Sequence, residues 1–532
     1  MKTTKLLMRL LFLTLPFLFF SSCESVPKTT VAINPLTYTD IPDNDVIRVG
    51  NDYYMVSTTM YFCPGAPIMH SRDLIHWRIV NYVYDTLADD DIYNLRNGRN
   101  AYGKGQWATT LREKDGIFYA LFIANDQQKT FVYTTTDIHN GPWKRHAVYD
   151  RPFHDAGLLF DKGKTYVVWG NGSLRITELE PDLSAIKEGG VDQLLIETPR
   201  GRGLRAEGAH MYHINGYYYL LEIDWPAGEV RTERAWRSHE LLGEYESKVI
   251  LQGAFDGRRD GVAQGAIVNT PHGDWYSIMF QDHGAVGRIP TIQPIKWVDG
   301  WPILGDNTLP MKEVTVNLPE DTEGDFVWAE DEFDTPDLSL VWQWNHMPVD
   351  STWSLSEREG WLRLRTTGIA SDIMNARNTL TQRTVGPHCY SEVRMDASGM
   401  LPGDKAGICA FQSNRTTIGV EVAADGTKNL IINDVQGLRA NPSEVMRQKL
   451  ESDTVYLRIN YVFTPAEGEP SPPDTATFAW SYDGENWTAP PYVLHMRYTL
   501  DLFTGYRTAL YCFATQQNGG YADFDYFHQQ AY

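Results

Sequence analysis

The chain has 532 residues and a formal net charge of −21, and 12% of it is aromatic, with 16 Trp and 29 Tyr. That charge repels nucleic acids and polyanionic glycans, and no basic cluster in the sequence offsets it. The length is enough for two large β domains, while the five cysteines lack CxxC or other metal spacing and are too sparse for a disulfide framework.

In chain order, Met1–Ser22 carries Lys2, Lys5 and Arg9, then an apolar run too short to span a bilayer, then small residues, so it reads as a secretory signal. Cys23, directly after Phe20-Ser21-Ser22, is placed like the lipidated first residue of a bacterial lipoprotein, with residues 23–33 as a tether; the bland alternative is an ordinary cleaved signal beside an incidental cysteine. Five stretches then repeat one pattern: Asp45–Thr59, Thr109–Ala124, Ala156–Gly170, Ala209–Ile223 and Ala266–Phe280. Each reads as an apolar strand, a short polar turn and an aromatic strand centred on Tyr, the mark of a β-hairpin. Their central tyrosines, Tyr54, Tyr119, Tyr166, Tyr218 and Tyr276, are spaced by 65, 47, 52 and 58 residues. A hairpin repeat with a period near 50 residues predicts a five-bladed β-propeller over residues 34–316. The acidic, pattern-poor stretch LPEDTEGD places a linker at 317–327. Short, closely spaced alternating strands over 328–532 predict a β-sandwich, giving an all-β chain. Among the remaining cysteines, Cys63, Cys389, Cys409 and Cys512 read as buried thiols, with one bridge among the last three left open.

About eleven residues before each marker tyrosine stand Asp43, Trp107, Asp155, Glu207 and Gln264. In a propeller such equivalent positions, at the start of the innermost strands, ring the central axis. Three carboxyl groups, an indole and an amide would therefore converge. For a single acid, a solvated turn residue is the plainer reading. Three at equivalent places are different, because like charges at short range raise one another's pKa and desolvation adds to the cost. One carboxylic acid to protonate a leaving oxygen and one carboxylate to activate water are the equipment of a glycosidase. The many aromatics suit sugar stacking and β cores alike, and decide nothing alone.

These residues carry a resemblance. Pro42-Asp43-Asn44-Asp45, Ser71-Arg-Asp-Leu-Ile-His-Trp77, Gly105-Gln-Trp107-Ala, Phe153-His-Asp155-Ala-Gly-Leu-Leu-Phe160, Ala206-Glu207-Gly-Ala-His210, Gln281-Asp-His-Gly-Ala-Val-Gly-Arg288 and Trp297-Val-Asp-Gly-Trp301-Pro occur in order, each at its blade. Together they resemble glycoside hydrolase family 43, with residues 328–532 similar to the concanavalin-A-like sandwich of its β-xylosidase and α-L-arabinofuranosidase members. The resemblance implies an inverting mechanism with Asp43 as general base, Glu207 as general acid and Asp155 orienting and tuning Glu207. It further implies Trp107 as a sugar platform and Arg288 as the partner of Asp43 and of a sugar hydroxyl. Asp43-Asn44-Asp45 replaces the usual Asp-Pro-Asp/Ser turn but keeps the base. No cofactor is implied. Where many members carry a metal-binding His this chain has Gln264, which leaves a structural calcium open, with His283 the nearby substitute. Invertase-like relatives are excluded because their Asn-Asp-Pro-Asn-Gly, Arg-Asp-Pro and Glu-Cys motifs have no match in His154-Asp155-Ala and Glu207-Gly. A sialidase is excluded by the missing arginine triad.

The resulting expectation is a bacterial cell-envelope exo-glycosidase, held to the membrane only by lipid. It would release a terminal arabinofuranosyl or xylosyl residue from plant polysaccharide or oligosaccharides. The alternatives are a non-catalytic glycan-binding lipoprotein and an exo-glycosidase for another sugar such as galactose. The choice of pentose and the oligomeric state are not written in the sequence.

Overall fold

A computed structural model describes residues 29–198, 203–323, 327–463 and 474–532. The signal and Cys23 lie outside these described residues. The expected repeats form five four-stranded antiparallel sheets, whose innermost strands are Asp45–Val49, Gln106–Lys114, Gly157–Asp161, Leu204–Ile214 and Ala263–Asn269. These five touch one another in ring order and the fifth touches the first, so the sheets close as blades around an axis. Each marker tyrosine sits on the second strand of its blade, at most 7% exposed. Each packs into an apolar layer between neighbouring blades. The repeat is thus a wedge repeat: a large, flat, amphipathic ring fills the gap that opens between twisted sheets away from the axis.

Closure is partly made by a segment that sequence reading gave to the tether. Thr30–Ile33 is a strand and pairs antiparallel with Glu313–Val316. Beyond it, Asn34 exchanges two hydrogen bonds of 2.8 Å with the backbone of Ile292 in the third strand of blade five. The alternation in Thr-Val-Ala-Ile is too short to stand out, yet Ala32 is fully buried. The expected linker is also packed rather than loose. Leu318 and Val327 are buried, and Asp321 accepts from the backbone N–H of Arg72 and from the Arg78 side chain.

The C-terminal part is a sandwich of an eight-stranded and a seven-stranded antiparallel sheet enclosing one large apolar core. The outer face of the larger sheet carries Cys409, Phe411, Ala509, Tyr511 and Phe513, which share a cluster with Tyr61, Phe62, Tyr84 and Phe122 of blades one and two. Phe62–Cys63, from blade one, extends that sheet by pairing with Trp344–Asn345. Cys63, Cys389, Cys409 and Cys512 are buried and free, so no bridge forms among the last three. Among the described residues no helix is long and apolar enough to cross a membrane.

Candidate active site

The equivalence inferred from the repeat reappears in the backbone. Asp43 (φ 51°), Asp155 (φ 47°) and Gln264 (φ 59°) all adopt the left-handed region, which side-chain-bearing residues enter rarely and which clusters at functional sites. In blades two, four and five the innermost strand runs past the equivalent position, and its register breaks there, around Trp107, Glu207 and Gln264. A bulge or a left-handed turn re-aims a side chain that regular pleating would send between the blades. At Glu207 the break also needs Gly208, which has φ 66° and would place a Cβ 2.7 Å from the Gln264 side chain.

Asp43 Oδ1 accepts from Arg288 Nη1 at 2.5 Å, and Arg288 Nε donates to Asp282 at 3.1 Å. Arg231 pairs with the other oxygen of Asp282 at 2.6 Å. Although burial raises the Asp282 pKa, the two arginines outweigh it and hold that carboxyl below the usual range. The backbone N–H of Arg288 donates to Asp40, a buried carboxyl raised by desolvation, whose second oxygen accepts from the N–H of Gly505 in the sandwich.

Glu207 belongs to the same charge cluster, acting on Asp155 together with Asp43. Its Oε2 accepts from Asn171 Nδ2 and lies 3.2 Å from His154 Nε2. His154 Nε2 is also 3.8 Å from Asp155 Oδ1. Asp155 and Glu207 each bring a carboxylate oxygen into one group with the imidazole, spanning at most 4.8 Å. The neighbouring Asp155 charge, with Glu207 and Asp43 beyond it, lifts His154 to about 9 against the opposing effect of burial. Burial lifts Asp155 to about 7; the His154 cation lowers it, while Glu207 and Asp43 add to the rise.

Trp107 stands edge-on to His154, with ring centroids 5.9 Å apart, and to Phe503 of the sandwich, 5.7 Å apart. The Phe503 ring also lies under the Arg288 guanidinium, 4.7 Å away. Asp43, Trp107, Asp155, Glu207 and Arg288 thus come together as anticipated. His154, Asn171, Asp282, Arg231, Asp40 and Phe503 were missed. His154 had a signal, its adjacency to Asp155, and Asp282 had one in the motif that ends at Arg288; the others depend on folding partners that no local motif reveals.

The residues present do not suit a hard dication on the axis. Calcium takes six to eight oxygen ligands. Gln264 offers one carbonyl, and His283 is turned away, bonded to Asp256 at 3.0 Å and Tyr38 at 2.9 Å. Between the inner strands the Arg112 guanidinium already supplies the cation, 2.7 Å from Asp45 and 3.0 Å from the Leu158 carbonyl. The His154–Asp155–Glu207 group, the one metal-like cluster among the described residues, has its imidazole nitrogen directed at Glu207.

Residues 32–302 match the model of glycosyl hydrolases family 43, and residues 330–530 match that of the β-xylosidase C-terminal concanavalin A-like domain. The chain belongs to glycosyl hydrolase family 43. A β-xylosidase of Formosa agariphila is 29% identical over 93% of this chain and 89% of its own. A bifunctional GH43-CE protein of Bacteroides eggerthii superposes with a TM-score of 0.87 and 42% identity over 94% of this chain, which spans 64% of that longer one. A family 43 glycoside hydrolase engineered to display both endo-xylanase and exo-arabinofuranosidase activity gives a TM-score of 0.85 at 30% identity, covering 94% and 99%. The chain is therefore a glycoside hydrolase, and its substrate is a carbohydrate.

Proposed function

We propose that this family 43 hydrolase is an inverting, exo-acting enzyme that removes a terminal α-L-arabinofuranosyl or β-xylosyl residue from plant cell-wall glycans. We further propose that it is exported and anchored through a lipid on Cys23. The observation that supports the exo reading is Phe503: a ring from the sandwich stands against Trp107 and against Arg288, where it would wall one side of the sugar site. The names borne by the similar proteins support a pentose.

Asp43 is the general base. With Oδ1 held by Arg288, Oδ2 is the oxygen that takes a proton from water as it attacks the anomeric carbon. Glu207 is the general acid. Because Oε2 is held by Asn171 and His154, the proton sits on Oε1 and passes to the glycosidic oxygen as that bond breaks. Asp155, which shares His154 with Glu207, orients and tunes it, and Trp107 gives the sugar a face to stack on. In an inverting enzyme base and acid act in one step from opposite faces of the ring.

A screen on nitrophenyl arabinofuranoside, xyloside and galactoside tests the substrate, and NMR of the first-formed anomer tests inversion; retention of configuration would overturn the mechanism. The roles separate by leaving group. Glu207→Ala should lose about 10²–10⁴-fold on natural glycosides, whose alkoxide needs protonation, but far less on nitrophenyl glycosides. Asp43→Ala should fail on both. Equal losses by Glu207→Ala on the two substrate types would remove it as the acid.

A further inference from the structure

A second polar pocket lies between the domains, away from the catalytic acids. It holds about 450 Å³, lined by Asn100 of the propeller and by Asp372, Asn375, Arg415, Arg439 and Asn441 of the sandwich. Pockets of this size accommodate small ligands, and here no exposed aromatic ring offers a stacking face.

The Arg415 side chain is only 2% exposed, although arginine is almost never buried so deeply unless paired. Its Nη2 donates to Asp372 at 2.7 Å and its Nη1 to the carbonyl of Ser413 at 3.0 Å, while Nε is buried with no partner. A cavity of about 30 Å³, water-sized, adjoins it and is lined by the same Arg415 and Asp372. Asp372 Oδ1 accepts from that guanidinium and from the N–H of Met374, and the ion pair offsets its charge. At the rim Arg439 is exposed and takes part in no ion pair among the described residues. The side-chain amides of Asn375 and Asn441 make no hydrogen bond there either. On a chain of net charge −21 this leaves one pocket with an unpaired guanidinium and two free amides, while the Asn100 oxygen accepts from the N–H of Tyr102.

Guanidinium groups match a carboxylate through parallel N–H bonds, and amides serve hydroxyls as donor and acceptor at once. We infer that this interdomain pocket binds a sugar bearing a single carboxylate, a hexuronic acid, with Arg439 taking the carboxylate and the asparagines the hydroxyls. The acidic field of the chain opposes long polyanions but not one uronate set against an unpaired arginine. An inorganic anion alone would leave most of the volume and the amides unused.

The test uses calorimetry or saturation-transfer NMR on the full-length protein with D-glucuronate, D-glucose and sulfate as probes. Glucuronate should bind at least about tenfold more tightly than glucose, and 0.5 M salt should weaken it. Arg439→Ala and Asn441→Ala, both at exposed positions, should each weaken glucuronate about tenfold while leaving nitrophenyl pentoside hydrolysis unchanged. Equal binding of glucose, equal binding of sulfate, or glucuronate binding that survives Arg439→Ala would each overturn the inference. So would competitive inhibition of hydrolysis by glucuronate, which would place it in the catalytic mouth. None of these readouts depends on which pentose the enzyme releases.

Discussion

Three carboxyl groups and two cations meet at the mouth, and their balance decides which of them holds a proton. Arg288 is spent on Asp43 and Asp282. His154, lifted to about 9, is a cation at neutral pH and stands between Asp155 and Glu207. The acid role requires a proton on Glu207, beside Asp155, whose own carboxyl is pushed up to about 7. Losing this proton sets the basic limb of the pH–rate profile. Asp155→Asn removes an anion beside Glu207, so the proton leaves at lower pH and the basic limb moves down. His154→Gln keeps a donor for Glu207 but removes a cation, so ionisation of both carboxyls is disfavoured and the limb moves up. Each shift should be about 1 pH unit or more, the usual effect of one charge at contact distance. kcat/KM profiles of the three proteins check the pair; shifts of the same sign would show that charge is not what these neighbours contribute.

At the scale of elements, the site is built from interruptions. Regular strands would turn Glu207, Trp107 and Gln264 into the layers between blades; register breaks face them to the mouth, and left-handed turns do the same for Asp43 and Asp155. Phe503 is presented by a loop in which its own φ is 60°, tied down by its N–H to Thr499 and by Gly505 to Asp40. Gly505 is needed because a Cβ there would lie 2.1 Å from the Val286 carbonyl. If Phe503 walls the sugar site as proposed, it contacts the sugar equally before and during the reaction, so in Phe503→Ala KM should rise about tenfold with kcat little changed. Steady-state kinetics on an oligosaccharide would show this, and an unchanged KM would mean the ring does not bound the subsite. The blades were legible because their tyrosines recur at hairpin spacing, and counting back from them reached Asp43, Asp155 and Glu207. Phe503 was not, since its partners Trp107 and Arg288 belong to the other domain and Asp-Leu-Phe-Thr-Gly has no local signature. Asn171 was hidden for a related reason: it ends a strand like any other turn asparagine, and only the bulge in the next blade brings Glu207 to it.

For the whole molecule, the question is whether propeller and sandwich are two bodies joined by a linker, as the acidic composition of residues 317–327 suggested, or one. The apolar layer between them is continuous, running from Tyr61, Phe62 and Phe122 to Phe411, Tyr511 and Phe513, all at most 5% exposed. Backbone pairing of Phe62–Cys63 with Trp344–Asn345 crosses it as well. An interface of that kind is apolar and hydrogen-bonded, so neither half keeps its surface covered when the other unfolds. Calorimetry should therefore record one cooperative transition. Phe62 is the sharpest probe, being fully buried beneath the Arg507 guanidinium, which lies 3.7 Å from its ring. Phe62→Ala should cost about 3–5 kcal/mol. With an unfolding entropy of about 2 cal/mol/K per residue, a chain this long loses only about 1 °C per kcal/mol, so the single transition should fall by about 3–5 °C. Two resolved transitions, with only the one belonging to blade one displaced, would show instead that the domains melt independently and that the sandwich reaches the active site without sharing its stability.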